Sequence, residues 1–373
     1  MASAAVAPAA VLEDGTELAF APPTFSDSDD EEECRPVPEQ EDPVRSIEEL
    51  RQAFAEEQRL MGTVRVHTHS ERDISSLPLD SLEHMQGTAE PLEYLDASSP
   101  HLASSSSFAA SKYGGGVGQP VLLRGLADKW PASSKWASPA ALLESRGAVP
   151  LRVTEIPPLL KGFGRPREVR LPLALYMEYT EANQADDPFY AFDHDFTGPR
   201  RVLLDDFEVP EPFKNDFYAT NATTRSFYPQ YRHMIVGGRR TGTNMHIDPK
   251  FTCAWNTLLS GRKRWICFPP DTDPEMIGAS AEYQKQTPVA YWWLDVYPNL
   301  DLRALGAVEG WQRAGETIFV PAGWWHAVLN VDFTIAITQN LVLPDHVEQV
   351  LPKLKQDWPE FFEYLQESGH ASV

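Results

Sequence analysis

From Arg232 to Leu343 the chain is cut into short runs of strand-forming residues, each closed by turn residues. Thr252 to Leu259, Arg264 to Phe268, Thr317 to Val320 and Phe333 to Leu341 are of this kind, and Pro321-Ala322-Gly323 stops the third. Many short strands of this kind predict a sandwich or open barrel, here a mainly β fold with flanking helices and a double-stranded β-helix (jelly-roll) core. Ser260-Gly261-Arg262-Lys263 has the composition of a hairpin turn and predicts that the runs on either side pair with each other. In the last run Thr334, Ala336, Thr338 and Asn340 alternate onto one face.

Two strings within this region carry chemistry. His246-Ile247-Asp248 sets an imidazole and a carboxylate two residues apart, on one face of a strand. Far downstream, Gly315 to His326 reads as a strand, a Pro-Ala-Gly turn and a Trp-Trp-His string. Brought together, His246, Asp248 and His326 make two histidines and one carboxylate, the ligand set of non-haem Fe(II) oxygenases. Alone, each half has ordinary structural explanations; the pair is what points to iron. Three ligands on one side leave room for a bidentate 2-oxo acid and O2. The far carboxylate of such an acid calls for a cation, and Lys263 is the candidate, with Thr338 and Asn256 as neutral hydrogen-bonding partners.

Charge is uneven. Residues 1–60 hold 16 Asp/Glu against 4 Arg, so −12 of the net −22 lies there. The rest is mildly acidic, which argues against binding along a phosphate backbone, so no direct DNA binding is expected. Residues 1–45, with Ser26 to Glu33 and then Pro36, Pro38 and Pro43, read as a disordered acidic tail. Residues 46–118 read as one short helix, opened by the capping box Ser46-Ile47-Glu48-Glu49, followed by a low-complexity linker that is Ser-rich through Ser107 and holds Gly114-Gly115-Gly116. The folded domain is expected at 119–344. It starts with a strand over Pro120 to Leu123, a helix capped by Ser138-Pro139 and a second helix from Leu171 to Glu181. Residues 345–373 read as two helices, the first capped by Asp345 and interrupted at Pro352, the second starting at Pro359; they would close the core or form a homodimer contact. Three cysteines without metal spacing, no basic leader and no long apolar run predict a reduced intracellular protein, nuclear or cytoplasmic, without a membrane span.

Several blocks, in order, resemble the jumonji-C oxygenases: Thr243 to Pro249, Ala254-Trp255-Asn256, Gly261 to Trp265, Gly315 to His326 and Thr334 to Asn340. They are most similar to the branch first called phosphatidylserine receptor, described as a lysyl hydroxylase and arginine demethylase. The likeness covers about residues 119–368, including Asp187 to Asp193 and Leu203 to Pro210. It implies a cupin-like jelly roll, Fe(II) on His246, Asp248 and His326, and 2-oxoglutarate held by Lys263 with Thr338, Asn256 and Tyr190, Thr243 lining the same pocket. It further implies O2 as co-substrate, a protein segment containing Lys or Arg as substrate, and oxidation of a C–H bond as the reaction. His233 stands where this branch carries an aromatic, and Pro288 where it carries an acidic residue, so substrate reading is expected to differ at these two positions. Two other readings stay open: a metal-bound scaffold that recruits partners without turnover, and a small-molecule oxygenase of the cupin class.

Overall fold

The computed structural model describes residues 87–154, 168–182, 188, 190–219, 222–226, 228, 230–279 and 289–368. The acidic tail, the capping-box helix and Pro288 lie outside these residues.

Fourteen strands occur among the described residues: β1 Glu90–Pro91, β2 Glu93–Asp96, β3 Val121–Arg124, β4 Pro150–Thr154, β5 Glu168–Pro172, β6 Tyr190–Asp193, β7 Arg232–Gly237, β8 Gly242–His246, β9 Cys253–Ser260, β10 Arg262–Phe268, β11 Val308–Arg313, β12 Glu316–Val320, β13 Trp325–Asn330 and β14 Thr334–Leu341. They form two sheets, one of five strands in the order β1-β11-β10-β13-β8, the other of nine in the order β2-β3-β12-β9-β14-β7-β6-β4-β5. The helices are α1 Ser105–Ala109, α2 Ala132–Lys135, α3 Pro139–Arg146, α4 Leu173–Ala182, α5 Ala222–Ser226, α6 Val289–Tyr291, α7 Val347–Asp357 and α8 Pro359–Glu367.

The sheets face each other, and each is also covered on its outer face. Trp255, Phe319, Ile335, Ile337, Met234 and Val236 pack outward from the nine-stranded sheet against Trp136, Leu142, Tyr176 and Phe213. Met245, Ile266, Phe268, Ala327 and Leu329 pack outward from the five-stranded sheet against Trp292 and Trp293. Burial on both faces is why β9, β12 and β14 are buried at every position instead of alternating with solvent. This is the expected jelly roll with flanking helices.

The predicted hairpin at Ser260 to Lys263 does not form. Strand β9 pairs with β12 and β14, whereas β10 pairs with β11 and β13, so the chain crosses from one sheet to the other at Gly261. Gly261 has φ +80°, and a Cβ there would fall 2.2 Å from the Phe333 carbonyl oxygen. A glycine at a sheet-switching corner and a glycine in a hairpin look alike in sequence.

Other expectations also shift. The 97–118 stretch, predicted as a flexible linker, is folded: Ser104 caps α1 through Ser107, and Phe108, Ala109 and Tyr113 join the core. One fully buried Phe contributes roughly 2–3 kcal/mol, which outweighs the low complexity around it. Trp292-Trp293 forms a π-helical turn (Trp292–Val296) continuing α6, with both indoles fully buried. Asp345 is not a cap: a 3-10 turn over Pro344–His346 leads into α7, whose N-cap is His346. Pro352 lies inside α7 without ending it. Ser138 does cap α3, accepting from the Ala141 N–H at 3.1 Å, while the helix expected from Leu171 starts two residues later, after β5. The C-terminal helices close a core of their own chain, with Trp358, Phe361 and Leu365 against Phe217, Tyr218 and Tyr228. Among the described residues no helix is long and apolar enough to cross a membrane.

Candidate active site

Between the two sheets lies a cavity of about 60 Å³. Strand alternation builds its wall: β9 supplies Ala254 and Asn256, β10 Lys263 and Trp265, β12 Ile318 and Val320, β13 His326 and Val328, β14 Thr338 and Asn340, each pair two residues apart. Tyr190 and Phe192 of β6 add to it in the same way. All eight residues expected at the iron and the 2-oxo acid line this one space: His246, Asp248, His326, Lys263, Thr338, Asn256, Tyr190 and Thr243.

Thr243 and His246 are three apart on β8 and would point to opposite faces of a regular strand. A bulge resolves this. His326 pairs with His246 and Val328 with Thr243, so β8 carries one extra residue against β13 between those rungs. Bulges re-aim side chains in this way beside active sites. The two imidazoles come within 4.2 Å between ring centres, and His326 Nε2 is 4.0 Å from Asp248 Oδ2. One ligand atom from each of the three residues lies within 4.8 Å of the others.

The nitrogens are already sorted. His246 Nδ1 lies 2.7 Å from the Asn244 carbonyl oxygen, and His326 Nδ1 lies 3.0 Å from that of Trp324. A carbonyl only accepts, so Nδ1 carries the proton in both rings and Nε2 keeps its lone pair. Burial pushes His326 down to about 4, helped by His246 and opposed by Asp248, which keeps the ring neutral. Asp248 Oδ2 is buried with no hydrogen-bond partner among the described residues. Two inward lone pairs beside an unsatisfied carboxylate oxygen fit a divalent metal with nitrogen and oxygen preference, and these residues could hold Fe(II).

The opposite end of the cavity is cationic. Lys263 is 1% exposed, and its Nζ donates to the Tyr190 hydroxyl at 3.3 Å. No acidic partner reaches it among the described residues, and burial alone pushes the ammonium down to about 7. A buried cation without a counter-charge is costly, so this end is built for an anion from outside the chain. Burial raises the Tyr190 hydroxyl, against an opposing hydrogen bond with Asn330, whose Nδ2 also donates to Thr241 at 2.7 Å. Asn256 is held by Gln312, whose Nε2 donates to the Asn256 carbonyl at 2.8 Å and faces its Oδ1 at 3.5 Å. That leaves the Asn256 amide hydrogens for an anion. Thr338 differs from expectation: its hydroxyl already donates to the Trp255 carbonyl at 2.8 Å and offers no second proton.

His233 is not among the residues lining the cavity. It sits on β7 opposite Thr338, with its ring centre 4.4 Å from that of Phe192 and 5.8 Å from that of His194. Burial, with His194 and Arg152 nearby, lowers it to about 3, so it is a neutral ring behind Phe192. The expected substrate-reading position is therefore one ring removed from the cavity.

Sequence reasoning missed Gln312, Trp265 and Asn340. Gln312 is fully buried, accepts from Trp265 Nε1 at 2.9 Å, and stands opposite Lys263 in the β10–β11 ladder. Trp265 in turn stacks on His326, with ring centres 6.0 Å apart and planes 24° apart. The alternation from Lys263 to Trp265 and from Thr338 to Asn340 was available as a signal; nothing local marks Gln312.

Residues 233–341 match the family described as "JmjC domain, hydroxylase". The chain is 39% identical over 232 residues to the protein named lysine-specific demethylase JMJ21 of Arabidopsis thaliana, covering 60% of this chain and 23% of that one. It is 34% identical over 241 residues to arginine-specific demethylase JMJ22 of the same plant, covering 64% and 45%. It is 32% identical over 250 residues to bifunctional arginine demethylase and lysyl-hydroxylase psr-1 of Caenorhabditis elegans, covering 65% and 60%. The chain thus spans less than two thirds of each of these relatives. The matched stretch runs from β7 to β14 and holds both histidines, the aspartate and the buried lysine, and the chain therefore carries a JmjC domain.

Proposed function

We propose that this chain is an Fe(II)- and 2-oxoglutarate-dependent dioxygenase acting on protein side chains, by lysyl hydroxylation, arginine demethylation or both. The observation that carries the reading is the pairing, in one cavity, of a two-histidine, one-carboxylate cluster with a buried lysine that has no acidic partner among the described residues. Relatives named as a lysyl-hydroxylase, as demethylases and as 2-oxoglutarate and iron-dependent oxygenases support it.

In this reading His246 Nε2, Asp248 and His326 Nε2 hold the metal. When bound, the metal with 2-oxoglutarate supplies O2 activation for insertion of oxygen into a C–H bond. The balance is R–H, 2-oxoglutarate and O2 giving R–OH, succinate and CO2. The chain's own part is placement. Lys263 and Tyr190 draw the distal carboxylate to the closed end, and Asn256 adds a donor there. The carbonyls of Asn244 and Trp324 keep each Nδ1 protonated, so neither imidazole turns its lone pair away. Ile318, Val320 and Val328 line the space with apolar surface and limit water. Hydroxylation of an N-methyl group would give an N-hydroxymethyl group that sheds formaldehyde, so one site serves both outcomes.

The test is mass spectrometry of a Lys- and Arg-rich peptide pool, with and without methylated arginine, after incubation with the chain, Fe(II) and 2-oxoglutarate. A mass gain of about 16 Da reports hydroxylation and a loss of about 14 Da demethylation, the two outcomes open to this chemistry. Succinate should form only in the presence of a modified peptide. Absence of succinate and of any mass shift across the pool would defeat the reading in favour of a scaffold; succinate with a metabolite and never with a peptide would favour the small-molecule oxygenase.

A further inference from the structure

The three metal-site residues are not held in equivalent ways. His246 and His326 are rungs of paired strands. Asp248 is not: β8 ends at His246, and Asp248 leads into the short turn Pro249–Phe251. That turn is strained. Lys250 has φ 57° and ψ 29°, and Phe251 has φ 56°, so two successive side-chain-bearing residues, one of them aromatic, sit in the left-handed region. Such conformations persist only where surrounding contacts impose them.

The imposing contacts come from the C-terminal helices and the segment they pack on. Lys250 Nζ lies 4.3 Å from the centre of the Trp358 ring, at the α7–α8 junction, and Lys353 Nζ of α7 lies 5.1 Å from the centre of Phe251. The two cation–aromatic contacts run in opposite directions, one from the turn to the helices and one back. The Tyr218 hydroxyl donates to the Lys250 carbonyl at 2.9 Å, and Tyr218 is itself packed on Phe361 of α8. On the cavity side, Asn340 Nδ2 donates to the Thr252 hydroxyl at 3.0 Å, and that hydroxyl donates to the Pro249 carbonyl at 2.7 Å.

We propose that the C-terminal helix pair is a clamp for the metal-site carboxylate: Trp358 and Lys353 hold Lys250 and Phe251 in the left-handed turn that aims Asp248 at His246 and His326. Lys250 is a positioning residue, acting through Asp248 and touching neither metal nor substrate. This rests on the metal reading given above and adds to it a role for helices outside the matched JmjC stretch.

Co(II) titration of the full chain, followed by its visible d–d absorption, tests the clamp, alongside thermal melting of the metal-free protein. Lys250→Met removes the cation and keeps the stem; Lys250→Arg keeps the cation. The expected result is Co(II) binding weakened about 3- to 10-fold in Lys250→Met, the range for loss of one partly desolvated cation–aromatic contact, with an altered band shape. Lys250→Arg should recover wild-type affinity and band shape, and metal-free melting should stay the same in all three. Lys353→Met, at an exposed position, gives a second arm with the same expected direction should Lys250→Met not fold. Wild-type affinity and band shape in the methionine variants, or no recovery in Lys250→Arg, would overturn the clamp while leaving the metal reading intact. No Co(II) binding by the wild-type chain would overturn the metal reading and the clamp with it.

Discussion

The two ends of the cavity are built on opposite plans. The cationic end rests on interior strands: Lys263, Asn256 and Thr338 are all buried, and β9, β10 and β14 each have a strand on both sides. The metal end takes His326 from interior β13 but His246 from β8, the last strand of the five-stranded sheet, and Asp248 from a strained turn after it, both less completely buried than His326. An anion site that must exclude water belongs in the interior. A site that must admit O2 and a substrate segment needs an edge. Rigidity at the closed end comes from the sheet itself, whereas at the open end it has to be imported from the C-terminal helices.

The sharpest break of this contrast is at the metal end. Asp248→Ala should weaken metal binding by more than about 100-fold, beyond the range for loss of an outer-sphere partner, and abolish succinate formation. Its fold should survive, because Asp248 lies outside the strand ladders. Co(II) titration and melting curves check both halves of the statement.

At the closed end the expected effects have opposite signs. Lys263→Met should weaken 2-oxoglutarate binding by about 2–5 kcal/mol yet stabilise the metal-free protein, because it removes a buried cation that no acidic side chain among the described residues compensates. The sign follows from linkage. Lys263 titrates near 7 when folded and near its ordinary value when unfolded, so its stability contribution is complete above the unfolded value and is lost as pH falls towards 7. The gain from Lys263→Met should therefore be largest at or below pH 7 and vanish in strong alkali. In the wild type, 2-oxoglutarate affinity should fall about tenfold per pH unit above 7, as the lysine in the free protein loses its proton. Calorimetry across pH would show this slope, and its persistence in Lys263→Met would remove the lysine from the role.

The smallest effect is expected at Thr338. Its hydroxyl proton is committed to the Trp255 carbonyl, so Thr338→Val should cost about 1 kcal/mol of stability and change 2-oxoglutarate affinity little. A large affinity loss would mean that the hydroxyl turns to the anion when it binds.

The sequence made the chemistry legible because two of its strings are unusual where they stand, a His-x-Asp and a Trp-Trp-His; Lys263, flanked by Arg262 and Arg264, is singled out only by the anion that such a site calls for. Strand alternation then predicts which neighbours share the cavity, and it holds for Asn256, Lys263 and Thr338. What stayed hidden depends on contacts between distant segments. The β8 bulge cannot be seen in Gly242 to His246 alone, since the extra residue exists only against β13. Gly261 looks like a hairpin glycine until its two strands are seen to pair in different sheets. Ser104 to Ser107 reads as a linker because serines are common there, yet Phe108 and Tyr113 anchor the stretch in the core. Trp292 and Trp293 suit a strand by propensity, and the outer face of the five-stranded sheet overrides that. His233 was located by likeness alone, and likeness gives a position without the intervening ring of Phe192.

The strand order also separates two units that are easily taken as one. Residues 233–341 are the stretch that matches the JmjC family, but inside the nine-stranded sheet they begin at β7 and end at β12, whose outer neighbours β6 and β3 come from earlier in the chain. Cut out as a fragment, that stretch would present two raw strand edges to other molecules, and it would lack Tyr190, the hydroxyl beside the buried lysine. Expression boundaries should therefore follow the hydrogen-bonded edges, not the limits of the domain match.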